Sequence, residues 1–169
     1  MTTLLIISIL LVVSYIGTTI WVKRELPESV SAMVYDLPKA GQWLWIVWLW
    51  ASTYTLTPAL FEVVPEEWGV LAHAFATSVL FVGAMPLVKD ESNKAHNALG
   101  ILAGIFSQLC VLIIDAQWLV TWLFFPFLLG SIFVQPQGWL AKAVDRKGVF
   151  IAEAICYIAL IGSLISKMI

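Results

Sequence analysis

The sequence predicts an all-α protein, a polytopic transmembrane bundle of six helices, and three observations carry that expectation. Hydrophobic residues fill 61% of the 169 positions and charged residues only 12%, against roughly 25% charged in an ordinary soluble domain. The mean hydropathy is +0.94. The apolar residues gather into stretches of about 20, the length that crosses a bilayer core as a helix, and the charges collect between them. The same composition excludes a disordered chain, and a net charge of -2 offers no basic surface for nucleic acid.

The first span is read from Thr3 to Val22. No basic stretch precedes it and Lys23 and Arg24 follow it directly, which suits a retained helix rather than a removed signal. In the loop that follows, Val30, Met33, Val34 and Leu37 recur at helical spacing behind Pro27, Glu28 and Ser29. Residues 30–37 are therefore expected as a short helix lying on the inner surface, with Ser29 as its N-cap.

The second span runs from Gln42 to Phe61. Its Pro58 lacks a backbone donor and loosens the outer half, and Ser52, Thr53, Thr55 and Thr57 are placed to bond back to the freed carbonyls. Trp68 to Val88 and His96 to Ile114 supply spans three and four. Only Asp115, Ala116 and Gln117 separate the fourth from the fifth, Trp118 to Val134, so those two should form a tight antiparallel hairpin. Residues 139–146 put Trp139, Leu140, Ala143 and Val144 on one side and Lys142, Asp145 and Arg146 on the other, an expected second surface helix. Val149 to Ser166 is the sixth span, and residues 1–169 form a single transmembrane domain. Cys110 and Cys156 sit inside apolar runs and read as packed small residues.

Basic residues set the orientation. Lys23, Arg24, Lys39, Lys89, Lys94, Lys142, Arg146 and Lys147 all fall in loops one, three and five, and Lys167 alone lies elsewhere. Those loops are expected in the cytoplasm and both termini outside, in a bacterial-type inner membrane. Trp21, Trp43, Trp45 and Trp139 then mark the inner border, and Trp68 and Trp118 the outer one. Trp48, Trp50 and Trp122 sit deeper, where packing or lipid contact is expected and cavity lining is the alternative.

An ionisable group inside a span costs roughly 2.5 to 3.5 kcal/mol on insertion scales, so each is a candidate site. Glu62 and Asp115 lie at outer helix ends, where a carboxylate reaches water. His73 shares a side of its helix with Ala76, Thr77 and Ala84, and small residues mark helix contacts. It is expected to face protein, either satisfied by a neighbouring backbone or hydroxyl, or joined with Glu62, Asp115 and Gln108 in an outer polar pocket. Gly100, Gly104, Gln108 and Asp115 share one face of span four, and their GxxxG pair invites a close helix neighbour, in the bundle or in a homo-oligomer.

At the inner end, Glu153 lies one turn into span six with Tyr157 on the same face. Such a carboxylate pairs, is neutralised or serves function, with His96, Arg146 and Lys147 the nearest partners in depth. His73 and His96 should stand about 20 Å apart along the membrane normal, at a rise of about 1.5 Å per residue, too far to share a metal. No resident cofactor is expected, and GxSxG, HExxH and phosphate-cradling glycine motifs do not occur.

Two stretches, "ELPESVSAMVYD" and "FVGAMPLVKDESNKAHNALGILAGIFSQL", resemble the alkaline-ceramidase-like (CREST) membrane hydrolase superfamily and its shorter six-helix relatives. The resemblance implies a metal-dependent amide hydrolase built from an early serine, an aspartate and three histidines, although several shorter members have no established activity. Ser31 or Ser29 matches the serine and His96 the first histidine, with Gly83 and Pro86 completing the pattern. The later histidine pair has no counterpart, since "FIAEAICY" offers Glu153 and Tyr157 instead. What carries over is an inner polar site of Ser31, His96 and Glu153, with one zinc only if hydrolysis is retained.

The expectation that results is a small, non-enzymatic, multi-pass protein surrounded by membrane lipid. Its polar interior binds or passes a small molecule or ion, or it serves membrane-associated defence or regulation. A lipid amide or ester hydrolase is the alternative, and a membrane scaffold or assembly protein the third reading.

Overall fold

In a computed structural model that describes residues 1–24, 27, 29–87, 94–132 and 146–168, all regular structure is helical. Helix α1 (Thr2–Lys23) ends on Arg24, whose left-handed φ of 58° turns its N–H back to the Ile20 carbonyl, a common way to close a helix. A 3-10 helix (Ala32–Asp36) leads to α2 (Lys39–Val63), and another (Glu66–Trp68) to α3 (Gly69–Ala84). Then come α4 (Lys94–Asp115), a 3-10 segment (Ala116–Leu123), α5 (Phe124–Ile132) and α6 (Arg146–Met168). Residues 139–146, expected as a surface helix, fall almost wholly outside the described residues.

Among the described residues, five helical stretches are long and apolar enough to cross a membrane: Thr2–Trp21, Lys39–Val63, Glu66–Leu87, Lys94–Leu128 and Gly148–Met168. The fourth is folded back on itself. Asp115 is extended (φ -161°, ψ 91°) and its side chain accepts the Gln117 N–H. Beyond it, Trp122 Nε1 donates to Gln108 Oε1 at 2.8 Å across 14 residues, a separation that would span about 21 Å in a straight helix. The chain therefore turns back at Asp115 in a hairpin, with Lys94–Leu128 counting as one apolar stretch rather than the two spans expected.

The hairpin's second arm starts as 3-10 rather than the expected α-helix. Pro126 fits where the change occurs: inside a continuing helix its ring would collide with the carbonyl four residues back, and here it falls in the first turn of α5. The α-helix begins at Phe124.

Consecutive helices are neighbours, α1 on α2, α2 on α3 and α3 on α4, with α6 packed against α4 and the hairpin's second arm. Met1, Val63, Ile114 and Met168 come together around one open depression, so the ends of α1, α2, α4 and α6 share one end of the bundle. Among the described residues the apolar interior has two large layers and a smaller cluster of Ile151 and Ile155 beside Trp122 and Phe125. Leu5, Leu60, Val111, Leu160 and Leu164 fill one large layer, and Met33, Val34, Trp45, Ile46, Val82 and Phe150 the other.

Indole N–H groups tie the helices together. Trp48 stacks on Tyr15 at 4.2 Å and donates to the Leu11 carbonyl at 2.7 Å, joining α2 to α1. Trp50 donates to the Leu80 carbonyl of α3 at 3.0 Å. All three deep tryptophans thus take part in helix packing. Trp48→Phe keeps an aromatic ring beside Tyr15 but removes the N–H together with the five-membered ring, so it should cost more than the roughly 0.6 to 1.7 kcal/mol of an interhelical hydrogen bond in membranes. A denaturation midpoint equal to wild type would show that this bond contributes nothing.

Trp45, expected at the inner border, is fully buried in the cluster that holds Met33 and Val34. Around Pro58, the hydroxyls of Ser52, Thr53, Thr55 and Thr57 bond to carbonyls of Leu49, Ala51, Ser52 and Thr53. The carbonyl that a proline at 58 leaves free belongs to Tyr54, one residue beyond those reached. These hydroxyls satisfy themselves on their own helix rather than repairing the proline gap.

Candidate intramembrane polar site

The polar site expected at the inner end is built where the loop after α1 meets the start of α6. Glu153 Oε2 accepts the backbone N–H of Val30 at 2.5 Å, and Oε1 accepts from Ser31 Oγ at 3.3 Å. Ser29 Oγ lies 3.1 Å from Ser31 Oγ. Ser31 and Glu153 are 122 residues apart in sequence, so only the fold brings them together.

This arrangement corrects the expected loop helix. The segment is 3-10, begins at Ala32 with Ser31 in the N-cap position, and has no side-chain cap bond there. Ser29 is not its cap: the 3-10 helix starts three residues later, and the Ser29 hydroxyl lies against that of Ser31. The segment's apolar side faces the bundle, with Ser29, Met33 and Val34 buried, while Tyr35 is exposed.

His96, expected nearest to Glu153, is buried and meets the same segment through Tyr35, ring edge to face at 5.4 Å. Tyr157 follows Glu153 by one turn, but its buried hydroxyl lies near Ser8 of α1, whose own Oγ donates to the Ser52 carbonyl of α2. The two residues thus serve different contacts. Among the described residues, Glu153 forms no ion pair, and no three His, Cys, Asp or Glu side chains are grouped closely enough to hold a metal. The side chains of Arg146 and Lys147 lie outside the description.

The outer candidates do not converge on one pocket. His73 is exposed, with Nδ1 2.9 Å from the Gly69 carbonyl of its own helix and its ring 4.4 Å from Phe61. The buried residues of α3 are Ala72, Ala76, Ser78, Val82 and Gly83, so the Ala76 expected beside His73 is buried while His73 itself is not. Glu62 borders one open depression of about 540 Å³, with Val63, Ile113 and Lys167. Asp115 borders another with Trp118 and accepts a hydrogen bond from Ser166 at 2.9 Å.

Gln108 turns inward, as expected, but as a structural junction. Its Nε2 donates to Ser107 Oγ at 3.1 Å and the Cys156 carbonyl at 3.3 Å, while Oε1 accepts from Trp122. Gly104 faces α6, where an added β carbon would lie 3.9 Å from Cys156 Sγ; at Gly100 it would meet nothing within 4 Å. The close approaches that glycine permits occur elsewhere. A β carbon at Gly83 would stand 2.6 Å from Trp50 Nε1, and one at Gly162 would enter the Trp118 ring. Neither was singled out for packing, because isolated glycines in apolar helices carry no spacing signal.

What this site can do chemically follows from its donors and acceptors. A carboxylate inside an apolar helix, held by one amide and one hydroxyl, can accept a proton or a cation without a covalent step. No known protein family matches the chain, and no curated protein or solved structure is significantly similar to it.

Proposed function

We propose that this chain is a six-span integral protein of a bacterial-type inner membrane, with both termini outside. In this reading its inner polar site, centred on Glu153 with Val30 and Ser31, binds or passes a small ion or cationic molecule without enzymatic chemistry. The observation that carries the reading is a carboxylate one turn inside a span that receives two neutral donors and, among the described residues, no cation. An intramembrane carboxylate is retained against a cost of roughly 2.5 kcal/mol or more, and a neutral residue would suffice if packing were its only role. The alternation of basic loops supports the orientation, and the gathering of the ends of α1, α2, α4 and α6 around one depression is consistent with it.

Glu153→Gln in proteoliposomes tests the proposal. It should lower proton or monovalent-cation flux at least tenfold while the helical circular dichroism stays as in wild type. Equal flux in the two proteins would remove Glu153 from any conducting or binding role.

A second reading, a lipid amide or ester hydrolase of CREST type, is favoured by one contact, the Ser31 hydroxyl donating to Glu153. That reading requires loss of lipid hydrolysis on Ser31→Ala and zinc in the purified protein.

A further inference from the structure

We infer that residues 29–37 form a strap latched by Glu153, and that this strap controls access to the carboxylate from the inner end of the bundle. The inference rests on the proposed role of Glu153 as the ion- or ligand-binding group. Both carboxylate oxygens are engaged from one short stretch, Oε2 by the Val30 N–H and Oε1 by the Ser31 hydroxyl. The same stretch drives an apolar wedge into the bundle. Met33 and Val34 are 3% and 0% exposed and belong to the layer that contains Trp45, Ile46 and Phe150.

Phe150 lies one turn before Glu153 on α6, and residues three apart share a helix face. Wedge and latch therefore engage the same face of the same helix. The strap's ends are held by structure of their own: the left-handed closure of α1 at Arg24 precedes it, and the extended Pro38 that starts α2 follows it. Any ligand that takes the oxygens of Glu153 competes with Val30 and Ser31 for them. Occupancy of the site and docking of the strap thus oppose each other, and linkage requires each to weaken the other by the same factor.

The hydrogen-bond chemistry separates the latch from the charge. Val30 N–H needs an acceptor, whereas the Ser31 hydroxyl can donate or accept. Glutamine at 153 can accept from Val30 through its carbonyl and donate to Ser31 through its amide, so it keeps the strap docked without a charge. Alanine removes both bonds.

The experiment uses the full chain in lipid nanodiscs, which leave both faces accessible, with Cys110 and Cys156 replaced by alanine. Val34→Cys then reports strap docking through its rate of reaction with a membrane-impermeant maleimide, and Leu160→Cys, in the other apolar layer, reports global opening. The expected result is slow labelling at position 34 with Glu153 or Glu153→Gln. Labelling should be at least about tenfold faster with Glu153→Ala, since one lost hydrogen bond of about 1.4 kcal/mol corresponds to a factor of ten. Ser31→Ala, which leaves the Val30 bond, should fall between them, and position 160 should stay protected throughout.

Equal rates with Glu153 and Glu153→Ala would overturn the latch, as would a Glu153→Gln strap as open as that of Glu153→Ala. Opening of positions 34 and 160 together would also overturn it, because the strap would then not move on its own. Unchanged ion flux in Glu153→Gln, with position 34 opening only in Glu153→Ala, would sink the ion-binding reading while leaving the latch standing.

Discussion

Gly162→Ala is expected to destabilise the bundle by about 1 to 3 kcal/mol, the usual cost of forcing an extra methyl group into a filled interface. The β carbon of an alanine there would fall among the Cε3, Cζ3 and Cδ2 atoms of Trp118, so ring or helix must move. The ring has little freedom, because Trp118 packs against the apolar layer of Leu5, Leu60, Leu160 and Leu164 and lies just past the chain reversal at Asp115. The loss should appear as a lower denaturation midpoint in mixed detergent followed by tryptophan fluorescence. Trp118→Ala costs stability on its own by opening a cavity, but combined with Gly162→Ala it removes the collision. The double variant should therefore be more stable than the sum of the single effects by about 1 to 3 kcal/mol, the range seen for residues in contact. Additivity within about 0.5 kcal/mol, as for independent sites, would mean that the helix shifts aside at no cost and that Gly162 is not needed for this contact.

Gln108→Leu should have a comparable effect for a different reason. The side-chain amide joins three segments, accepting from Trp122 and donating to Ser107 and to the Cys156 carbonyl. Leucine fills a similar volume but leaves the Trp122 N–H facing an apolar side chain. A buried donor without a partner costs about 1 to 3 kcal/mol, more than the net value of the bond itself. Removing the donor as well should restore stability, so Gln108→Leu with Trp122→Phe should recover most of what Gln108→Leu alone loses. If the double variant is no more stable than the single one, the polar junction is incidental and the loss arises from packing. The mutated face borders the hairpin, so a weakened junction should first raise amide hydrogen exchange in residues 116–123.

Much of the fold was legible in the amino-acid order. Apolar length locates the stretches able to cross a membrane, and the isolated Asp115 marks where the chain turns back. Glu153 stood out as an ionisable group one turn inside an apolar stretch, whereas Ser31 entered beside it only through the resemblance to the CREST superfamily. The partner choice was not legible. His96 seemed nearest to Glu153 by depth along the chain, yet Glu153 takes the backbone of Val30 and the hydroxyl of Ser31. Depth places a residue along the membrane normal and leaves its rotation about the helix axis undetermined.

The same limit explains the other corrections. His73 was assigned to the small-residue face of α3, but it is exposed while Ala76 of that face is buried. Trp45 was assigned to the membrane border, but it is buried in the cluster that holds Met33 and Val34. The glycines chosen by their GxxxG spacing include Gly100, which meets nothing among the described residues, whereas Gly83 and Gly162 receive the rings of Trp50 and Trp118. In a soluble helix the polar side marks the outward face and so reports its rotation. Here both the lipid-facing and the protein-facing sides are apolar, and that signal is nearly absent.

The sequence by itself determined the helical class, the length of the apolar stretches, the break at Asp115 and the sorting of charge between the two ends of the bundle. Each depends on composition within a short window and so survives without knowledge of neighbours. Only the tertiary structure decided which side of each helix turned inward, which tryptophans became ties, and that the loop after α1 folds down onto Glu153. Those outcomes depend on shape complementarity between segments as far as 123 residues apart, since helices of nearly uniform hydrophobicity are oriented by packing and a few polar bonds rather than by avoidance of water.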